Sequence, residues 1–388
     1  MAGRARRLLH GLRELWVALG ITLAVLVVVE GAAHLVLMFR SGRAGEAGMR
    51  PDSYPAEPWV KELRAETGLS SRMRWEPFAY WRRRPFAGKH INVDERGLRR
   101  TWSPAKHPGS PSRPRIFFLG ASEVWGSGVR DDHTLPSELA RYLDAAGFPA
   151  DVVNYGESGY VSTQSVVTLL RELQRGVVPD VVVYYGGGSD AMSASHNGSA
   201  GLPLSESRRS REFNILRDPG RLVPETVRVL ASRSALVRLM GVSLDAPRSP
   251  PPPPVAPAQL VDLTLQAFDA NVAAIDGLAG SYGFHTSYFW QPCLLTKPHR
   301  TRFEEKRAAR AAGSFPYVME LYARVRRDWR ARDPKHFTDL GDFFAETREP
   351  RYLDYTHLGE TGNREIAAAI GRQLIDRGGL TPRATPLP

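Results

Sequence analysis

Cysteine is almost absent from this sequence: Cys293 stands alone among 388 residues. One thiol can form neither an intrachain disulfide nor a cysteine-based zinc site. A location outside the cytosol stays open, because large domains fold without disulfides. Lysine is scarce too. Only six of the 52 basic residues are Lys, so the formal net charge of +11 rests on arginine scattered among acids. Scattered charge with no recognised nucleic-acid-binding motif excludes nucleic acid from the expected partners. No metal-ligand spacing is visible, and neither a metal nor another cofactor is expected. The apolar fraction of 42% supports a sizeable core.

Long apolar runs are missing except at the N-terminus. Leu15 to Phe39 is almost continuously apolar, about the length a helix needs to cross the hydrocarbon core. Arg4, Arg6, Arg7 and Arg13 precede it, and Arg40 and Arg43 follow. That excess predicts a cytoplasmic tail over 1–14, an inner-membrane anchor over 15–39 and the remainder outside. A cleaved signal peptide would end at small residues such as Ala32 and Ala33, but the apolar run continues past them. Glu30 and His34 interrupt the run. Such residues either face a partner or lie close to the outer interface.

Residues 40–113 read as an irregular stalk rich in Pro, Trp and Arg that becomes a docking segment. From Arg115 the pattern is α/β. Strands are expected at IFFLG (116–120), 151–156, 181–186, 284–290 and 336–341. Helices are expected over 134–146, 163–174, 258–280, 302–332 and 360–376. Strands alternating with helices predict a mostly parallel sheet with helices on both faces, spanning 114–380. An insertion over 191–257 interrupts the alternation, ends in prolines 250–254 and is expected to lie over the site.

Four features fall at strand ends, where open α/β sheets place their ligands. Gly120-Ala-Ser122 follows the first strand, with the next glycine at Gly126. A serine on a tight turn presents its hydroxyl, although this spacing is not the G-x-S-x-G elbow. Asn154-Tyr-Gly-Glu-Ser-Gly159 follows the second strand and offers backbone N–H groups to an oxyanion. Gly186-Gly-Gly-Ser189-Asp190 follows the third; with no Lys-Ser/Thr after it, it is not a phosphate loop. Asp354-Tyr-Thr-His357 precedes the last helix, and an Asp there can orient and charge-stabilise an imidazole.

Taken in order, the four resemble the sequence blocks of the SGNH/GDSL hydrolases, and more narrowly their membrane-anchored bacterial members. NVDERGLR (92–99), NYGESGYVSTQ (154–164), PDVVVYYGGGSD (179–190) and FWQP (289–292) extend the resemblance over about 250 residues. It implies a three-layer α/β/α flavodoxin-like sandwich. It also implies Ser122 as nucleophile, activated by His357 and Asp354, with an oxyanion held by Ser122, Gly159 and Ser189. Two positions depart from the family pattern. Ala121 replaces the Asp of G-D-S, and Ser189 replaces the Asn whose amide would face the oxyanion. Trp125, Gln164, Asp190 and Gln291 are candidate substrate-binding residues. Trp125 can instead pack beneath the insertion, Gln164 can cap a helix and Gln291 can tie a loop.

The expected function is serine-dependent hydrolysis of an acyl ester on an envelope glycan or lipid. Two alternatives use the same residues differently: O-acyl transfer to an envelope polysaccharide, and a weak or inactive protein that only binds.

Overall fold

The computed structural model describes residues 2–46, 54, 57–104, 113–242, 255–314, 317–329 and 336–380. The expected proline run at 250–254 lies outside them. The chain forms two compact units, one of Arg50–Glu206 with Pro252–Pro388, the other of Met1–Met49 with Ser207–Pro251.

In chain order, α1 (Ala2–Glu46) is followed by α2 (Trp59–Leu69) and by two short hairpins. These are β1 (Met73–Glu76) with β2 (Tyr80–Arg83), and β3 (Phe86–Ala87) with β4 (Asn92–Val93). The segment expected to be irregular thus carries its own structure. Its strands are short and rich in Trp and Arg, so they show no apolar alternation.

The alternation proper begins with β5 (Arg115–Gly120), α3 (Ser122–Trp125), α4 (Leu135–Ala145), β6 (Asp151–Asn154) and α5 (Ser162–Gln174). It continues through β7 (Val181–Gly186) and α6 (Gly188–Asn197). The second unit then contributes most of α7 (Glu206–Leu216), with α8 (Pro219–Arg233) and α9 (Ala235–Leu239). The chain returns with α10 (Pro257–Tyr282), β8 (His285–Trp290), α11 (Arg302–Ser314), α12 (Val318–Trp329), β9 (Phe337–Asp339) and α13 (Glu360–Asp376).

The five strands β5–β9 are all parallel, in the order β6-β5-β7-β8-β9. This is the 2-1-3-4-5 order of flavodoxin-like sheets. Central strands read as continuous apolar runs because both faces are covered. In β5, Phe117 and Leu119 join a core with α5, α10 and α12, while Ile116 and Phe118 join a second core with α4 and α13. The result is the expected three-layer sandwich.

Two expectations are corrected. The single helix over 302–332 is two helices, α11 and α12. The sequence between them holds Pro316, whose missing N–H and ring do not suit a helix interior. The insertion over 191–257 is divided as well. Helix α6 belongs to the sheet-bearing unit, whereas 207–251 groups with α1.

Candidate active site

Strand order reverses at β5, and a crevice at such a switch point is where this architecture binds ligands. Ser122 opens α3 directly beyond the C-terminal end of β5. The turn is very close-packed. A Cβ on Gly120 would sit 2.3 Å from the Tyr185 carbonyl oxygen, and one on Gly156 would sit 2.3 Å from the Trp125 nitrogen. Only glycine therefore lets the loop after β6 close onto the serine turn. Asn154 completes the lock, its Nδ2 donating to the Val124 carbonyl at 2.9 Å.

The upstream segment holds this turn from the other side. Arg99 is fully buried and donates to the carbonyls of Trp125 (3.1 Å), Gly126 (2.5 Å) and Val129 (2.6 Å), and to Asp131 (2.8 Å). The Arg83 and Arg99 guanidiniums lie 3.7 and 4.4 Å from the Trp125 ring centroid. Arg83 also pairs with Glu157, which is buried in the loop before Gly159.

Ser122 and His357 are 235 residues apart in sequence, yet His357 Nε2 lies 2.8 Å from Ser122 Oγ. His357 Nδ1 is 2.7 Å from Asp354 Oδ2, while Asp354 Oδ1 accepts from the backbone N–H groups of Thr356 (2.9 Å) and His357 (2.8 Å). Burial by itself would pull the imidazole pKa down. The charge and hydrogen bond of Asp354, helped by the charge of Glu123, outweigh it and raise His357 to about 9. Burial likewise pushes Asp354 up, but the same partnership and the two N–H donors bring it down to about 2. A carboxylate on Nδ1 orients the ring so that Nε2 serves the serine hydroxyl.

Of the groups that hold this loop, the sequence singled out Gln291 but not Glu123, Thr356, Lys297 or Glu304. Thr356 Oγ1 donates to Glu123 Oε1 at 2.7 Å, and Gln291 Nε2 reaches the same oxygen at 3.2 Å. Glu123 thus ties the serine turn to the His357 loop. Farther along, Lys297 and Glu304 form a fully buried ion pair at 2.7 Å. Glu304 Oε1 accepts from the backbone N–H groups of Arg351 (3.1 Å) and Tyr352 (3.3 Å), just before Asp354. Replacing Glu304 with Ala strands a buried ammonium, and urea denaturation should show a loss of about 3–5 kcal/mol. The double change Lys297→Met, Glu304→Leu should cost less, since no unpaired charge remains.

The remaining expected site residues divide. Gly159 lies in the loop after β6 with φ of +75°, a left-handed conformation suited to glycine. Ser189 lies in the first turn of α6, and among the described residues nothing hydrogen-bonds its hydroxyl. Trp125, Gln164, Asp190 and Gln291 are all buried, at most 5% exposed. Trp125 packs beneath the two arginines. Gln164 Nε2 donates to the Ala79 carbonyl at 2.7 Å, fastening α5 to the upstream segment. Asp190 Oδ1 accepts from the Ser162 N–H and hydroxyl, at 2.9 and 2.6 Å. Gln291 holds Glu123 and Thr356. Internal partners take up the polar atoms of Gln164, while Trp125 Nε1 and Gln291 Oε1 have no hydrogen-bond partner among the described residues. Beside the His357 loop lies a small pocket of about 20 Å³, lined by Ala191, Met192, Leu295, Val318, Tyr355 and neighbours.

The fold is a flavodoxin-like α/β/α sandwich, the architecture that the sequence resemblance implies. The serine turn and the Gly-rich third block stand directly after β5 and β7 of its sheet. No family model matches the chain, and no curated protein matches it. Solved structures similar to it include an acetyl xylan esterase, at 15% identity and TM-score 0.34, covering 66% of this chain and 97% of that one. A lipase/acylhydrolase from Enterococcus faecalis matches at 16% identity and TM-score 0.32, covering 70% of this chain and all of its own. A GDSL-like lipase from Bacteroides thetaiotaomicron matches at 13% identity and TM-score 0.33, covering 68% of this chain and 89% of its own.

Proposed function

We propose that the chain is a serine-dependent acyl-ester hydrolase. The observation that carries the reading is the hydrogen-bonded series Ser122–His357–Asp354 at 2.8 and 2.7 Å. In the proposed reaction His357 takes the Ser122 proton as Oγ attacks the ester carbonyl. The tetrahedral oxyanion accepts from the Ser122 and Gly159 N–H groups and the Ser189 hydroxyl. His357 then protonates the leaving alcohol, and water releases the acid by the reverse sequence. Among the described residues nothing hydrogen-bonds the Ser189 hydroxyl, and in this reading it donates to the oxyanion.

The acyl group in this reading is short. It is assigned to the small pocket beside Tyr355 and Thr356 of the His357 loop, which Ala191, Met192, Leu295 and Val318 line. One methylene too many costs about 1–3 kcal/mol in such a site. 4-Nitrophenyl acetate is therefore expected to exceed the butyrate in kcat/KM by at least about tenfold, and equal rates would reject the short-acyl reading.

The N-terminal helix holds an apolar span at Arg13–Met38, long enough to cross a membrane. Proposed as an inner-membrane anchor, it would confine the reaction to acyl esters of envelope glycans or lipids, with the hydrolase outside. Transfer to a glycan hydroxyl would use the same residues. Product analysis with and without an oligosaccharide acceptor separates the two, since only transfer yields acylated sugar.

A further inference from the structure

The unit made by Met1–Met49 and Ser207–Pro251 is unlike the sheet-bearing unit in its surface. Helix α8 is amphipathic. Leu222, Val223, Val227, Val229 and Leu230 fall on one side at helical spacing, and Val223, Val227 and Leu230 are each 60–67% exposed. Arg221, Glu225, Arg228 and Ser232 fall on the other. A soluble helix turns such an apolar stripe inward; here it has no protein cover among the described residues. The charge of the segment is one-sided too. Residues 207–242 contain eight Arg and three acids.

The same unit indicates what covers the stripe. Glu30 of α1 receives hydrogen bonds from Ser234 Oγ (2.7 Å), Ala235 N (2.5 Å) and Leu236 N (3.2 Å), at the start of α9. Ala33 and Ala235 are buried, as small residues are where two helices approach closely. The α8–α9 segment is therefore fastened to the apolar span at residue 30. From Leu15 to Glu30 the helix rises about 22 Å at about 1.5 Å per residue. In a hydrocarbon core of about 30 Å, that places Glu30 some 8 Å below the far surface. Amphipathic helices lie about 5–10 Å into that boundary.

We infer that residues 207–242 form an interfacial membrane unit: α8 lies on the outer surface of the membrane crossed by α1, its apolar face in the acyl boundary and its arginines among anionic phospholipid headgroups. The inference rests on reading α1 as a membrane anchor. It also assigns Glu30 a purpose, because the carboxylate satisfies the backbone donors of α9 at a depth where water is scarce.

The test uses full-length protein in vesicles of phosphatidylethanolamine with phosphatidylglycerol. An environment-sensitive dye is attached at Val227→Cys, at Val223→Cys, at Arg221→Cys and, as an anchor control, at Val25→Cys; the native Cys293 is buried. Lipids brominated near the headgroup should quench the dye at 223 and 227 at least twofold and more than at 221, and lipids brominated near the acyl-chain ends should quench it at 25. Omitting phosphatidylglycerol should weaken the quenching at 227. Quenching at 25 with none at 223 or 227 overturns the inference and leaves the anchor intact. No quenching at 25 removes the anchor reading, and this inference with it. Shielding from aqueous quencher at 227 without lipid quenching would mean that a protein surface covers the stripe, and also overturns it.

Discussion

Replacing Ser122 with Ala is expected to lower ester turnover by about 10⁴-fold or more, and replacing His357 with Ala by a similar factor. The double variant should lose no more than either single one. Serine and imidazole act as a unit, so once Nε2 has no hydroxyl to activate, removing it costs nothing further. The 2.8 Å contact between Nε2 and Oγ is what makes this coupling expected. A fluorophosphonate probe gives an independent readout. Wild-type protein should be labelled at Ser122, and His357→Ala should not be labelled at a measurable rate. Ser122→Ala should leave thermal unfolding nearly unchanged, whereas His357→Ala also takes the partner from the buried Asp354 carboxylate and should lower the unfolding temperature. Turnover by Ser122→Ala equal to wild type would favour a protein that keeps the fold only to bind.

The second large effect is in pH. His357 must be neutral to accept the serine proton, and its folded-state pKa is raised to about 9. Activity is therefore low in acid and climbs as pH rises through that value, on the alkaline side of an ordinary imidazole. Asp354→Asn removes the charge that opposes burial. The inflection should move to lower pH while the rate at the plateau falls by about 10⁴-fold, because the amide favours the wrong tautomer. Glu123→Gln keeps the shape and removes one nearby charge, so it should shift the profile in the same direction by less. A profile unmoved by Asp354→Asn would mean that the carboxylate is not what holds the imidazole up. Stability follows the same linkage. The raised His357 contributes fully below the unfolded value of about 6.5 and its share is lost as pH rises through about 9. The depressed Asp354 contributes above about 3.9 and its share is lost as pH falls through about 2. The pair therefore supports the fold best between about pH 4 and 6.5.

Much of the sheet was legible because its strands are buried on both faces. IFFLG and VVVYYG can be nothing but central parallel strands once helices flank them, and the glycines that end them mark where loops begin. The amphipathic helices before β6 and at the C-terminus were legible for the same reason, since one face of each meets the core. The upstream segment was not. Its order comes from Arg83, Arg99 and Glu66 bonding to distant or backbone partners, and a local pattern of charge does not disclose such bonds. The surroundings of the substrate candidates were not legible for a related reason. Gln164, Asp190 and Gln291 are polar residues near strand ends, and whether such a group meets a ligand or a backbone depends on which loops close over it.

Sequence alone determined the order of the blocks, the single apolar span and the residue types able to activate a serine, because those depend on local pattern and side-chain chemistry. The departures at Ala121 and Ser189 are equally plain in the sequence. Only the tertiary structure decided that Ser122 and His357 meet, since their contact spans 235 residues and is made by the parallel sheet that brings both loops to one edge. It also decided that the four candidate pocket residues are buried, and that the insertion joins the N-terminal helix through Glu30. These are facts of packing, and packing is settled by the whole chain at once.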